Sequence, residues 1–151
     1  MKIPRRFGLI VIVGLLAGGV FLSARQSSQT DVQTAQVPAK SAQGAAIVQV
    51  NLPAALSVEA ARGKTYFDAV CASCHGANAT GLDGVGPPLV HQIYKPSHHG
   101  DGAFMVAIRN GAAQHHWSFG SMMPIAQPLT NAEIGAITLY IRELQRENGV
   151  R

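Results

Sequence analysis

Cys71-Ala72-Ser73-Cys74-His75 holds both cysteines of this 151-residue chain, with a histidine directly after the second. A C-x-x-C-H run is the attachment signature of a c-type haem. The spacing follows from the chemistry. Thiols three residues apart on a helix share a face and can add to the two vinyl groups of one porphyrin, and the adjacent imidazole then stands over the iron as proximal ligand. With both thiols used this way no disulfide remains. A lone C-x-x-C also occurs as half a zinc site or as a thioredoxin-like pair, but there is no second C-x-x-C and no βαβ pattern around the first. Cys71 and Cys74 are therefore expected to anchor one haem c covalently, with His75 on the iron.

Upstream of the motif, order is expected from about Leu52-Pro53. Ser57 is a suitable N-cap for a helix running to the cysteines, with Val58, Ala61, Phe67 and Val70 as its apolar positions. Gly63 costs such a helix about 1 kcal/mol against alanine, which suggests that another backbone, that of the last helix, crosses close to it. Downstream, residues 76–100 are dense in Gly, Pro, Asn and His and read as irregular loop over the cofactor. Asp101 can cap a short helix over 102–109 with Phe104 and Ile108 on one face, and Asn110-Gly111 stops it. The clearest start signal is Thr130-Asn131-Ala132-Glu133, a capping box. It opens a last helix with Ile134, Ile137, Ile141 and Leu144 as its apolar stripe. Arg142, Glu143, Arg146 and Glu147 read as its solvated face.

The chain has room for one small domain, residues 51–151. Met1 to Arg6 is basic and Phe7 to Ala24 uncharged and apolar, long enough as a helix to span about 27 Å. Residues 1–24 thus read as a signal peptide or, preferably, an uncleaved anchor that places the rest on the periplasmic side of the cytoplasmic membrane. Residues 25–50 read as a flexible linker. The formal charge of +4 includes Lys2, Arg5, Arg6 and Arg25, and the eight remaining basic residues face eight acidic ones. The exported part is formally neutral and no nucleic-acid partner is implied. No paired catalytic carboxylates, nucleophile elbow, phosphate loop or nucleotide fingerprint is present.

Taken together, CASCH, then Gly86-Pro87-Pro88-Leu89, then a methionine before proline and a capped C-terminal helix resemble the class I monohaem cytochrome c domain over about Pro53 to Gly149. The resemblance implies an all-α domain of three to four helices wrapped around one covalent haem, with Gly63 and Phe67 packed on Ile137 and Tyr140. It also implies that the Pro87 carbonyl accepts from the second ring nitrogen of His75, and that a methionine is the distal ligand. Met123 fits the methionine-proline pattern, while Gly120-Ser121-Met122-Met123-Pro124 also fits a G-x-M-x-P form, which favours Met122. Trp117 and Tyr94 are expected to fill space around the porphyrin. Lys64, Lys95 and Arg109 are candidates for propionate or partner contact. His91, His98, His99, His115 and His116 are within loop reach of the cofactor. The His98-His99 and His115-His116 pairs could also converge on a transition metal or a docking partner.

The resulting expectation is an electron-transfer protein rather than an enzyme, passing single electrons between a donor and an acceptor such as a membrane oxidase or dehydrogenase. Two other readings stand beside it. One is a gas- or peroxide-binding haem sensor, or a subunit of a larger oxidoreductase, with an open sixth site. The other is a zinc or copper module using Cys71, Cys74 and the histidine pairs.

Overall fold

The computed structural model describes residues 43–151; the expected anchor and most of the expected linker lie outside the described residues. Four helices follow in order: α1 Val58–Val70, the single turn α2 Ala72–His75, α3 Asp101–Asn110 and α4 Asn131–Glu147. Short 3₁₀ turns at Ala77–Ala79 and Gln92–Tyr94 interrupt the loops between them. Among the described residues there are isolated β-bridges but no strands, so the domain is all-α as expected. Among the same residues no helix is long and apolar enough to cross a membrane.

The α1–α4 crossing organises the domain. Ser57 caps α1, its hydroxyl accepting from the Ala60 N–H at 3.2 Å. Thr130 and Glu133 form the full capping box of α4: the Thr130 hydroxyl accepts from Glu133 N–H and the Glu133 carboxylate from Thr130 N–H. The two helices cross at Gly63, where a Cβ would lie 1.9 Å from the Ala136 carbonyl oxygen. That approach places Phe67 edge-on against Tyr140, ring centroids 5.5 Å apart. Ile134, Ile137, Ile141 and Leu144 are buried together as the expected stripe. Each such side chain contributes about 1.5–3 kcal/mol by leaving water.

Three local expectations need correction. The buried face of α1 is Ala60, Gly63 and Phe67, whereas Val58 and Ala61 are exposed. Close approach at Gly63 selects the face with the smallest side chains, and a β-branched valine there would hold the helices apart. Asp101 does not cap α3. Gly100 holds that position with no side-chain bond, and the Asp101 carboxylate instead accepts from Arg142 Nε at 2.8 Å. Phe104 and Ile108 do form the buried face of α3, and Gly111 ends it with φ of 78°.

The third correction is the largest. Arg142 is not on a solvated face; its side chain is 7% exposed. Its guanidinium donates to the carbonyls of Tyr94 and His99, to Gln145 Oε1 and to Asp101, and stacks over Phe104 at 5.0 Å. Gln145, fully buried, donates to the carbonyls of Leu89 and Tyr94. The irregular loop 89–99 has no regular backbone partners for these carbonyls, and α4 supplies them from two side chains. Residues 44–48 are also fixed. Gly44 N–H donates to Asp83, Asp83 N–H to Ala45, and the N–H groups of Ile47 and Val48 to Thr80.

Candidate functional site

Cys71 follows the last residue of α1, and its carbonyl accepts from the N–H groups of Cys74 and His75 at 3.1 and 2.9 Å. This turn puts both thiols and the imidazole on one short stretch of helix, as the spacing requires. The two cysteines are not bonded to each other; Cys71 is buried and Cys74 exposed. Burial, with a smaller contribution from Cys74, pushes the Cys71 thiol up to about 11. It is therefore uncharged at neutral pH, as suits a sulfur in apolar surroundings.

His75 Nδ1 lies 2.9 Å from the Pro87 carbonyl oxygen. A carbonyl only accepts, so Nδ1 carries the proton and Nε2 keeps the lone pair that a metal requires. Burial lowers the pKa of this ring, against an opposing effect of the Pro87 bond, so it is neutral when ligation needs it to be. Pro87 is brought there by Gly86, where a Cβ would lie 2.5 Å from the Cys74 carbonyl oxygen. That glycine is the first residue of the Gly86-Pro87-Pro88-Leu89 run on which the resemblance rests. Asn78 carried no such signal in the sequence. It takes a left-handed φ of 54°, which asparagine tolerates better than most residues, and its side chain accepts from the Tyr140 hydroxyl at 3.0 Å.

On the other side, Met122 and Ala112 exchange two backbone hydrogen bonds of 2.9 Å, closing the loop 112–122. Gly111 makes room, since a Cβ there would meet the Met122 carbonyl oxygen at 2.5 Å. Met122 is half-buried, whereas Met123 is 75% exposed. Trp117 stacks on Phe119 and meets His91 edge-on. Its Nε1 is buried with no hydrogen bond of good geometry, although it lies near enough to the Tyr94 side chain to offset part of the burial that raises the Tyr94 pKa. An orphaned buried N–H in this place suits a carboxylate acceptor. A haem propionate is such an acceptor, and together with the bare His75 Nε2 and the two thiols it makes the residues present fit a haem.

The remaining candidates separate. Lys64 pairs with Asp68, and Arg109 is tied to the start of α4 through Asn131 and the Leu129 carbonyl. Lys95 is half-buried. His91 Nδ1 accepts from the Ile93 N–H and supports the 3₁₀ turn. The two histidine pairs do meet: His98 Nε2 and His116 Nε2 are 3.2 Å apart, and His99 Nε2 and His115 Nε2 are 3.4 Å apart. The pKa of His116 is lowered by partial desolvation and by His115, His98 and His99 around it. Neither cysteine belongs to this group.

Comparison with known proteins gives two kinds of match. A sequence model of the family described as cytochrome c matches residues 60–145. The protein named Cbb3-type cytochrome c oxidase subunit CcoP from Azospirillum sp. (strain B510) is 35% identical over 104 residues, 65% of this chain and 33% of that one. The protein of the same name from Azospirillum brasilense is 35% identical over 106 residues, 65% of this chain and 32% of that one. The chain thus spans about a third of the length of the curated relatives it matches. No solved structure matches it.

Proposed function

Because the chain belongs to the cytochrome c family, we propose that it is a single-electron carrier that holds one haem c and exchanges electrons with a membrane oxidase. Haem binding and electron transport accord with the family and with relatives named as subunits of a cytochrome c oxidase. The observation that carries the reading is the 2.9 Å contact of His75 Nδ1 with the Pro87 carbonyl, which fixes the tautomer of the one imidazole standing beside two free thiols.

When bound, haem supplies a one-electron iron couple. Cys71 and Cys74 would hold it covalently, and with no further cysteine in the chain the number held would be one. His75 Nε2 would bind the iron. Met122 would be the second protein ligand: its backbone is latched to Ala112 and its side chain half-buried, while the 75% exposure of Met123 suits a residue at the rim. A methionine thioether with an imidazole would favour the reduced iron and raise the potential relative to two histidines. The Trp117 N–H would orient a propionate. With the protein supplying both ligands, partners would exchange electrons through a small, transient contact.

The basic-then-apolar pattern of residues 1–24 supports export, with the domain on the periplasmic side and a tether that raises its concentration near the oxidase. Separate replacement of the two methionines tests the site. Met122→Ala should abolish the near-infrared methionine-to-iron band of the oxidised protein, and Met123→Ala should leave it; the reverse pattern assigns Met123. Rapid stoichiometric binding of carbon monoxide to the reduced parent protein at neutral pH would replace the carrier reading with an open-site one.

A further inference from the structure

We propose that His98, His99 and His116, with His115 beside them, form a second metal site, separate from the haem ligands, that takes a divalent first-row transition ion of the zinc class. One ring nitrogen from each of the first three lies within 4.8 Å of the others.

The tautomers identify the ligand atoms. His99 Nδ1 lies 2.7 Å from the Ile93 carbonyl oxygen and His115 Nδ1 2.7 Å from that of Ala113. Both carbonyls can only accept, so both Nδ1 atoms carry protons, and Nε2 is the atom of each ring left to ligate a metal. The two Nε2 atoms face each other across 3.4 Å. Orientation of a ligating imidazole by a carbonyl on its far nitrogen is the usual support of a histidine metal ligand.

The spacing has the same meaning. Two imidazole nitrogens about 2.0–2.1 Å from a tetrahedral Zn²⁺ are about 3.3–3.4 Å apart. The two cross-pair separations are 3.2 and 3.4 Å. Closing the 4.8 Å spread to that edge length asks for movement of His98 and His116, both exposed. An all-nitrogen, thiolate-free site of neutral imidazoles suits Zn²⁺, Cu²⁺ or Ni²⁺ and not Mg²⁺ or Ca²⁺.

The backbone beneath is already fixed on both sides. The N–H groups of His98 and His99 both donate to the Lys95 carbonyl, and Arg142 holds the His99 carbonyl. Across the site, Gln114 N–H donates to the Ser121 hydroxyl and Gln114 Oε1 accepts from Gly120 N–H. Ala112 and Met122 close the base of that loop. An ion here joins the loop anchored on α4 to the loop that carries Met122.

The test is calorimetric titration of the haem-loaded protein, cleared of other metal ions, with ZnCl₂ in chelator-free buffer, alongside His116→Gln and the double variant His98→Gln/His116→Gln. The expected result is saturable binding of one Zn²⁺ per chain, weakened at least tenfold in His116→Gln and a hundredfold or more in the double variant, with the visible haem spectrum unchanged throughout. His116 is an exposed loop residue, so His116→Gln reports on ligation even if the double variant is poorly folded. Absence of saturable binding overturns the proposal, as does equal affinity in parent and His116→Gln. Loss of the methionine-to-iron band on adding Zn²⁺ also overturns it, because the ion would then be acting at the haem.

Discussion

Replacing Gly63 by alanine adds one methyl group to a helix and should nonetheless destabilise the domain. On propensity alone the change gains about 0.8–1 kcal/mol. At this position the new Cβ would lie 1.9 Å from the Ala136 carbonyl oxygen, 2.3 Å from its carbon and 2.9 Å from the Ile137 nitrogen, where approaches under 3.0 Å are essentially unknown. All three atoms are α4 backbone, so no side chain can swing aside, and the helices must part by about 1 Å. A gap of that size forfeits a quarter to a half of each dispersion contact across it, and the contacts concerned are those of Phe67, Ile137 and Tyr140, each 1% exposed or less. With overpacking at the upper end of about 1–3 kcal/mol or beyond, the net loss is about 2–3 kcal/mol. For a domain of this size that lowers Tm by roughly 10–20 °C, read by far-ultraviolet circular dichroism of the holo protein. Gly135→Ala is the internal control. It lies on α4 with nothing within 4 Å of its Cβ position, and should raise Tm by roughly 4–8 °C. A Gly63→Ala protein melting at or above the parent would refute the crossing geometry.

Arg142→Met should cost about 2–4 kcal/mol, because the His99 carbonyl and Gln145 Oε1 lose their donor inside the protein. Asp101→Asn should cost under about 1 kcal/mol, since Asp101 is 74% exposed and stays hydrated; paired urea denaturation separates the two. Bonds from the backbone and side chain of Thr130 hold the Glu133 carboxyl below its ordinary value of 4.5. A depressed folded-state pKa adds stability above the unfolded value and loses it as pH falls through the folded one. The Tm advantage of the parent over Glu133→Gln should therefore be full at pH 6 and shrink steadily below about pH 4.5; an advantage that grows on acidification would contradict the cap. Cys71→Ser/Cys74→Ser, which removes the covalent anchors, should lose the cooperative melt, because a domain of about 100 residues has a marginal core without its cofactor.

The sequence carried the features whose causes are local. CASCH, the Thr130–Glu133 box and the Ile134–Leu144 stripe each depend on residues within one or two helical turns. The His75–Pro87 bond was reachable through family resemblance, and Gly63 through the cost of a mid-helix glycine that only a close crossing explains. Arg142 was not legible. Beside Glu143, Arg146 and Glu147 it has the pattern of a wet helix face, and the reason it is buried lies in the unpaired carbonyls of Tyr94 and His99, which any sequence could supply. The face of α1 was misread for a related reason. Hydrophobicity points to Val58 and Ala61, but contact distance at the crossing selects Ala60 and Gly63. The histidine dipeptides were visible as oddities, whereas their meeting depends on the Ala112–Met122 latch, a backbone pairing with no side-chain code.

These misread positions bear on how a domain whose described residues form no sheet would hold both sides of the proposed haem. The ends of the site lie on loops, and loops fix position only where their backbone groups find partners. Helix α4 provides those partners in one rigid body. Its Ala136 surface meets Gly63 on α1, which leads through Cys71 into the α2 turn with His75, and two turns on its Arg142 and Gln145 hold the carbonyls of Leu89, Tyr94 and His99. The same element therefore sets the proximal turn and the loop facing the Met122 segment. In the carrier proposed above, ligands must keep their places as the iron changes charge. A helix gripping both sides through contacts to their backbones provides that constancy, and at the proposed histidine site an ion joining loop 95–99 to loop 112–122 would tighten the grip from outside.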